Sequence, residues 1–182
     1  MRLEKLLRWD VRLSEQLRVS PQQRWRWRWE AFLAHSGDSW FWALAMGLIW
    51  LSDWSSPWHR RAALLGIGIV VLAVLVLAIK FLVRRRRPEG EWGQIYRSTD
   101  PHSFPSGHAA RAALLTVMAW GLGPLWFSIV VTLWLPLVSL ARVRMGVHYL
   151  SDVLAGVVFG ALAGLGMLAV QPVLLTSFPF LF

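Results

Sequence analysis

Leu3, Leu6, Leu7, Leu13 and Leu17 recur at near-helical spacing among Arg2, Arg8, Arg12 and Glu15. The stretch from Met1 to Leu17 is therefore expected to form an amphipathic helix lying on a membrane surface. Charges interrupt it and no apolar run follows directly, unlike the pattern of a cleaved signal peptide. Ser20-Pro21-Gln22-Gln23 then offers an N-cap, a proline at the first helical position and a glutamine three residues after the cap. A second helix is predicted from there, with Trp25, Trp29 and Phe32 on one face and a stop at Gly37.

Longer apolar runs follow. Ser39 to Ser52, capped by Asp38, is apolar throughout, yet at 1.5 Å per residue it reaches only about 21 Å, short of a hydrocarbon core of about 30 Å. Ser56-Pro57 caps the next segment, whose clean run from Ala62 to Ile79 ends at Lys80. A polar loop from Arg84 to Pro105 separates it from two further apolar stretches, His108 to Leu122 and Leu125 to Ala141, hinged at Gly121-Leu122-Gly123-Pro124. These read as a helical hairpin. The last span, Leu150 to Val170, carries Gly156, Gly160 and Gly164 at every fourth position, which lets a neighbouring helix approach closely. Gln171 to Phe182 is expected to finish that helix at the interface.

The expected fold is all-α: a polytopic membrane helix bundle of about five transmembrane helices, residues 38–182, preceded by an arm of amphipathic interfacial helices, residues 1–37. Composition agrees, with 56% hydrophobic residues in 182 and thirteen tryptophans suited to membrane interfaces. No cysteine is present, which excludes disulfides and thiolate metal or nucleophile chemistry. The 19 basic residues against 10 acidic ones would suit a nucleic-acid binder, but such a protein would not carry these long uncharged runs. Only Lys5 and Lys80 are lysines; the other cations are guanidiniums, apt for bidentate phosphate contact.

Three polar clusters interrupt the apolar chain: Lys80 to Pro88, Pro105 to His108, and Arg142 to Asp152. Counting spans between them places all three at the same membrane face. Lys80 with six intervening residues to Arg87-Pro88, then Pro105-Ser106-Gly107-His108, then Arg142 with five residues to His148 and three more to Asp152 together resemble the type 2 phosphatidic acid phosphatases, or lipid phosphate phosphatases, which share a fold with vanadium haloperoxidases. The family often has serine where this chain has Ala141. The resemblance implies hydrolysis of a phosphate monoester or diphosphate head group through a metal-independent phosphohistidine.

The residues support the same chemistry on physical grounds. A phosphate monoester attacked in line keeps most of its charge on the non-bridging oxygens, so a site needs several fixed donors. Lys80, Arg87 and Arg142 supply positive charge. Ser106 opening a helix would aim its hydroxyl and the N–H groups of Gly107 and His108 at an anion. His148 and Asp152, at i and i+4 on a helix, would share a face, the carboxylate holding one ring nitrogen while the other attacks phosphorus. His108 is placed to protonate the departing oxygen and then to activate water. No metal or other cofactor is expected, and the partners are the bilayer and a lipid phosphate: phosphatidic acid, phosphatidylglycerol phosphate, a phosphoinositide or a polyprenyl phosphate or diphosphate. A vanadate-dependent haloperoxidase and a non-catalytic lipid-binding or transport module are the alternatives.

Elsewhere the plainer function is expected. Arg84 to Arg86 read as membrane-edge anchors, His35, His59 and His102 as interfacial or packing residues, and Glu89, Glu91 and Arg144 as a solvated loop face. If Ser39 to Ser52 spans, Arg24, Arg26, Arg28, Arg84, Arg85, Arg86, Arg97, Arg111 and Arg144 flank the catalytic side against only Arg60 and Arg61 opposite. The positive-inside rule then places the site on the cytoplasmic face, in a bacterial plasma membrane; the family resemblance leaves the outer face open.

Overall fold

A computed structural model describes residues 2–20, 22–52, 54–89 and 100–182. Glu91 and Arg97 lie outside the described residues. Among the described residues seven α-helices follow in order: α1 (Arg2–Gln16), α2 (Arg24–His35), α3 (Ser39–Ser52), α4 (Pro57–Val83), α5 (Gly107–Leu122), α6 (Leu125–Arg144) and α7 (Leu150–Ser177), with a closing 3₁₀ turn at Pro179–Leu181.

The ends of α4 follow from local chemistry. Ser56 accepts the Trp58 amide at 3.2 Å with Pro57 at the first helical position, and Arg84 at φ 52° stops the helix. The expected start of α2 is corrected: it begins at Arg24, with Gln23 as an N-cap that makes no side-chain bond. The Ser20 hydroxyl instead takes the Gln22 amide at 3.3 Å, its carbonyl closes a turn onto Gln23, and the Val19 amide is tied to Arg144 at 3.0 Å. That tertiary tie holds the segment out of the helix.

Helices α4, α6 and α7 are long and apolar enough to cross a membrane, at 27, 20 and 28 residues. The two other expected spans are shorter, at 14 residues for α3 and 16 for α5, or about 21 and 24 Å. Both nonetheless join the two ends of the bundle. Asp38, entering α3, touches His108, while Trp50 near its other end accepts a 2.7 Å bond from His59 at the start of α4. Helix α5 runs from His108 to Leu122, whose carbonyl takes Arg61 Nε at 2.7 Å. Leu114, Leu115, Met118 and Ala119 of α5 have no exposed surface, so this central helix meets protein nearly all round and needs no full lipid-facing length.

Against lipid, burying a leucine between helices has little hydrophobic drive, so close packing and interhelical hydrogen bonds decide the arrangement. The α5–α7 pair is the most intimate. A Cβ on Gly160 would lie 1.9 Å from the Ala110 carbonyl oxygen, and one on Gly156 2.5 Å from that of Ser106. Ser128 Oγ to the Ala119 carbonyl at 2.8 Å seals the α5–α6 hairpin. Outward, Val70, Val74, Leu133, Leu137, Val158 and Leu162 remain exposed on α4, α6 and α7, an apolar girdle suited to lipid. Helix α7 runs past Gln171 to Ser177, and the tail returns so that Leu181 accepts the Trp50 indole at 3.0 Å.

Candidate active site

The three motifs meet at one end of the bundle. The Ser106 amide donates to the Asp152 carbonyl at 2.9 Å, pinning the start of α5 to the first turn of α7, and the missing side chain of Gly156 permits that approach. The Ser103 amide donates to the Arg85 carbonyl at 2.9 Å, and Arg86 pairs with His102, so the strand-like exit from α4 lies beside the entry to α5.

Lys80, Arg87, Ser106, Arg142, His148 and Asp152 are all buried. Arg87 Nη1 donates to His148 Nε2 at 3.2 Å and to the Val147 carbonyl at 2.8 Å. Its Nη2 reaches the Asp100 carboxylate at 2.7 Å, which Lys80 Nζ also bonds. The Arg142 charge acts on both imidazoles and disfavours their protonated forms less than burial does. A cavity of about 300 Å³ has Lys80, Asp100, Gly107, His108, Arg111 and His148 among its polar lining and Leu72, Ala73, Val76 and Leu77 of α4 along one apolar wall. The Ser106 hydroxyl at the N-cap of α5 is buried and lacks a hydrogen-bond partner among the described residues. A buried hydroxyl in that state favours a polar ligand beside it.

One expected geometry is corrected. Only Asp152 lies on α7; His148 precedes the Tyr149 N-cap and sits in the loop between α6 and α7. The two still approach, His148 Nδ1 to Asp152 Oδ2 at 3.7 Å, too long for a hydrogen bond. Asp152 instead bonds the Tyr149 amide at 2.9 Å and Arg85 Nη1 at 2.6 Å. Burial, reinforced by Arg87, Arg142 and Lys80, pushes the His148 imidazole well below its ordinary range. This favours the neutral imidazole, whose Nε2 faces Arg87.

Arg85 is more than a membrane anchor. It joins Asp152 to Asp10 of α1 at 2.7 Å, bonds Ser151 Oγ at 2.7 Å and lies 4.2 Å over the Tyr149 ring. Asp10, Asp38, Asp100 and Arg111 also join this end of the bundle, although no motif spacing marks them as site residues. Asp38, expected as the cap of α3, directs Oδ1 to His108 Nε2 at 2.7 Å and Oδ2 to His35 Nδ1 at 3.2 Å and Trp40 Nε1 at 3.3 Å. Burial raises the Asp38 carboxyl, but its bonds to the two imidazoles outweigh that and hold it down at about 2. No periodicity marks these residues, since their partners are distant in the chain. Buried arginine inside an apolar helix was the one available signal, at Arg111. Of the other histidines, His59 stacks against both Trp50 and Trp54, which also meet each other, and the His102 ring meets Phe81 edge-on. Arg144 pairs with Glu30 at 2.7 Å. Among the described residues no group of His, Asp and Glu is arranged to hold a metal ion.

Comparison with known proteins places the chain in a family. The decaprenylphosphoryl-5-phosphoribose phosphatase of Mycobacterium tuberculosis is 39% identical over 140 residues, covering 72% of this chain and 73% of that protein. The undecaprenyl-diphosphatase of Sulfolobus acidocaldarius is 28% identical over 71% of this chain and 63% of its own length. Among solved structures, a transmembrane PAP2-type phosphatidylglycerolphosphate phosphatase from Bacillus subtilis superposes with a TM-score of 0.71 at 22% identity, covering 92% of this chain and 87% of that one. The PAP2 superfamily model matches residues 61–174, a range that contains all three motifs. The chain belongs to the PAP2 superfamily.

Proposed function

We propose that this chain, a membrane phosphatase by family, hydrolyses the phosphate of a lipid or polyprenyl carrier through a phosphohistidine on His148. The observation that carries the proposal is the joint placement of Lys80, His108 and His148 around one cavity with an apolar wall, beside an unpartnered Ser106 hydroxyl. Lys80, Arg87 and Arg142 hold the non-bridging oxygens together with Ser106 and the Gly107 amide at the N-terminus of α5. Neutral His148 attacks phosphorus through Nε2. As the bond from phosphorus to the ester oxygen breaks, His108 gives that oxygen a proton. His108 then takes a proton from water, which attacks the phosphohistidine, releasing inorganic phosphate and restoring His148.

The wall formed by Leu72, Ala73, Val76 and Leu77 suits an apolar tail leaving the site between helices. Two relatives act, by name, on polyprenyl-linked phosphates, which favours that substrate class. Phosphate release from phosphatidic acid, phosphatidylglycerol phosphate and polyprenyl phosphates, measured in detergent with chelator present, tests this. Release that persists with chelator and vanishes in His148→Ala is expected; release unaffected by that substitution rejects the nucleophile.

The catalytic face is cytoplasmic in this proposal. Asp38 at His108 supports an N-terminal arm on the catalytic side, which keeps Arg24, Arg26 and Arg28 there, opposite Arg60 and Arg61. In intact cells an impermeant thiol reagent should label a cysteine placed at Ser55 and spare one placed at Arg26; the reverse pattern would put the site outside.

A further inference from the structure

We infer that Asp38 is a positioning residue for His108 and links it through His35 to water, so that the N-terminal arm completes the proton-transfer half of the site. This rests on the phosphatase reading above, in which His108 serves the leaving oxygen.

The turn from Ser36 to Ser39 is built around the His108 ring. A side chain at Gly37 would crowd this ring: a Cβ would lie 3.0 Å from His108 Cδ2 and 3.1 Å from Val138 Cγ1. Arg111, one helical turn beyond His108, bonds the Gly37 carbonyl and the Ser39 hydroxyl, clamping both sides of the turn. Trp134 Nε1 donates to Ser36 Oγ at 2.8 Å and Trp42 Nε1 to the Ser36 carbonyl at 3.0 Å. A turn held at this many points fixes the Asp38 carboxylate, whose Oδ1 accepts from His108 Nε2 at 2.7 Å.

That bond has two chemical consequences. With Nε2 committed to Asp38, Nδ1 is the nitrogen left to serve the leaving oxygen and then water. The carboxylate also supplies a counter-charge for the imidazolium, the form that a proton donor requires, where burial first and then Arg142 from α6 and Arg111 from its own helix oppose it, with Lys80, Asp100 and His148 around the same cavity. Oδ2 of the same carboxylate holds His35, whose side chain is 43% exposed. Imidazole, carboxylate and imidazole thus run in series from solvent to the cavity, a path by which His108 equilibrates its proton with solvent in the free enzyme, before the leaving oxygen takes it.

A leaving-group comparison tests this in the full-length protein. An alkyl lipid phosphate needs its departing oxygen protonated, whereas a lipid-tailed nitrophenyl phosphate does not. Asp38→Asn is expected to lower kcat on the alkyl substrate by about 100-fold, to lower kcat on the aryl substrate far less, and to move the alkaline limb of the alkyl-substrate profile to lower pH. His35→Gln changes an exposed residue and leaves the turn intact; it should slow the alkyl substrate by about threefold and spare the aryl one, on the same general acid-base grounds. Equal losses on both substrates, whether or not thermal unfolding changes, would show that Asp38 does not act through the departing oxygen and overturn the inference, as would no effect of either substitution. Should the wild type hydrolyse neither substrate, or His148→Ala leave hydrolysis intact, the phosphatase mechanism itself falls, and this assignment with it.

Discussion

Asp100 places its carboxylate on Lys80 and Arg87, the two cations expected to receive phosphate from the first motif. An anionic substrate must compete with it, so Asp100→Asn should tighten inhibition by inorganic phosphate by about tenfold, the scale of one exchanged charge-assisted bond; weaker inhibition would mean that Asp100 organises the cations instead. The state of His148 yields a second outcome. Because burial and three cations disfavour its protonated form, the free enzyme keeps a neutral nucleophile as pH falls through the ordinary histidine range of about 6.5. Lys80→Met removes one of those cations, so the acid limb of kcat/KM should move to higher pH alongside a raised KM. Linkage has the matching sign: this depressed imidazole contributes stability that is complete above the unfolded value and declines as acid protonates the unfolded chain first. Lys80, Arg87, Ser106, Arg142 and His148 were legible because motif spacing exposes them. Asp38 and Arg85 were not: their partners lie 70 and 67 residues away, and a lone acidic or basic residue at a membrane edge looks like a cap or an anchor.

The glycine stripe of α7 was legible as a helix-packing face, and its partner is α5, whose N-terminus carries Ser106. Packing here therefore sets the position of the phosphate donors. A methyl group at Gly160 would fall 1.9 Å from backbone, where no side chain can yield. Gly160→Ala should lower the unfolding temperature and the activity together, whereas Gly166→Ala, with nothing near its Cβ site, should change neither; a tolerated Gly160→Ala would mean that α5 and α7 slide freely. The capping signals divided for a physical reason. Ser56 caps α4 as its sequence suggests, but Ser20 spends its hydroxyl and carbonyl on a turn held by the Val19–Arg144 tie. Likewise His148, four residues before Asp152, looked helical by spacing, yet Tyr149 starts α7 one residue later, and the contact survives through the loop.

Across the whole molecule, counting spans was enough to gather the three motifs at one end, because each apolar stretch reverses the chain. What the count could not supply was the covering of that end by α1 and α2, where Asp10 reaches Arg85 and Ser151 and Glu30 reaches Arg144. Those contacts join charged residues without periodicity, so they emerge only in the folded chain. The arm thus belongs to the architecture of the site as much as the helices that carry the motifs. Covalent chemistry at His148 can be tested by quenching the enzyme during turnover of a lipid phosphate carrying a radiolabelled phosphoryl group. A phosphohistidine there leaves label bound to protein, stable to alkali and released by acid, mapped to the peptide containing His148 and absent from His148→Ala. Full turnover with no protein-bound label under any quench, or label retained in His148→Ala, would contradict it.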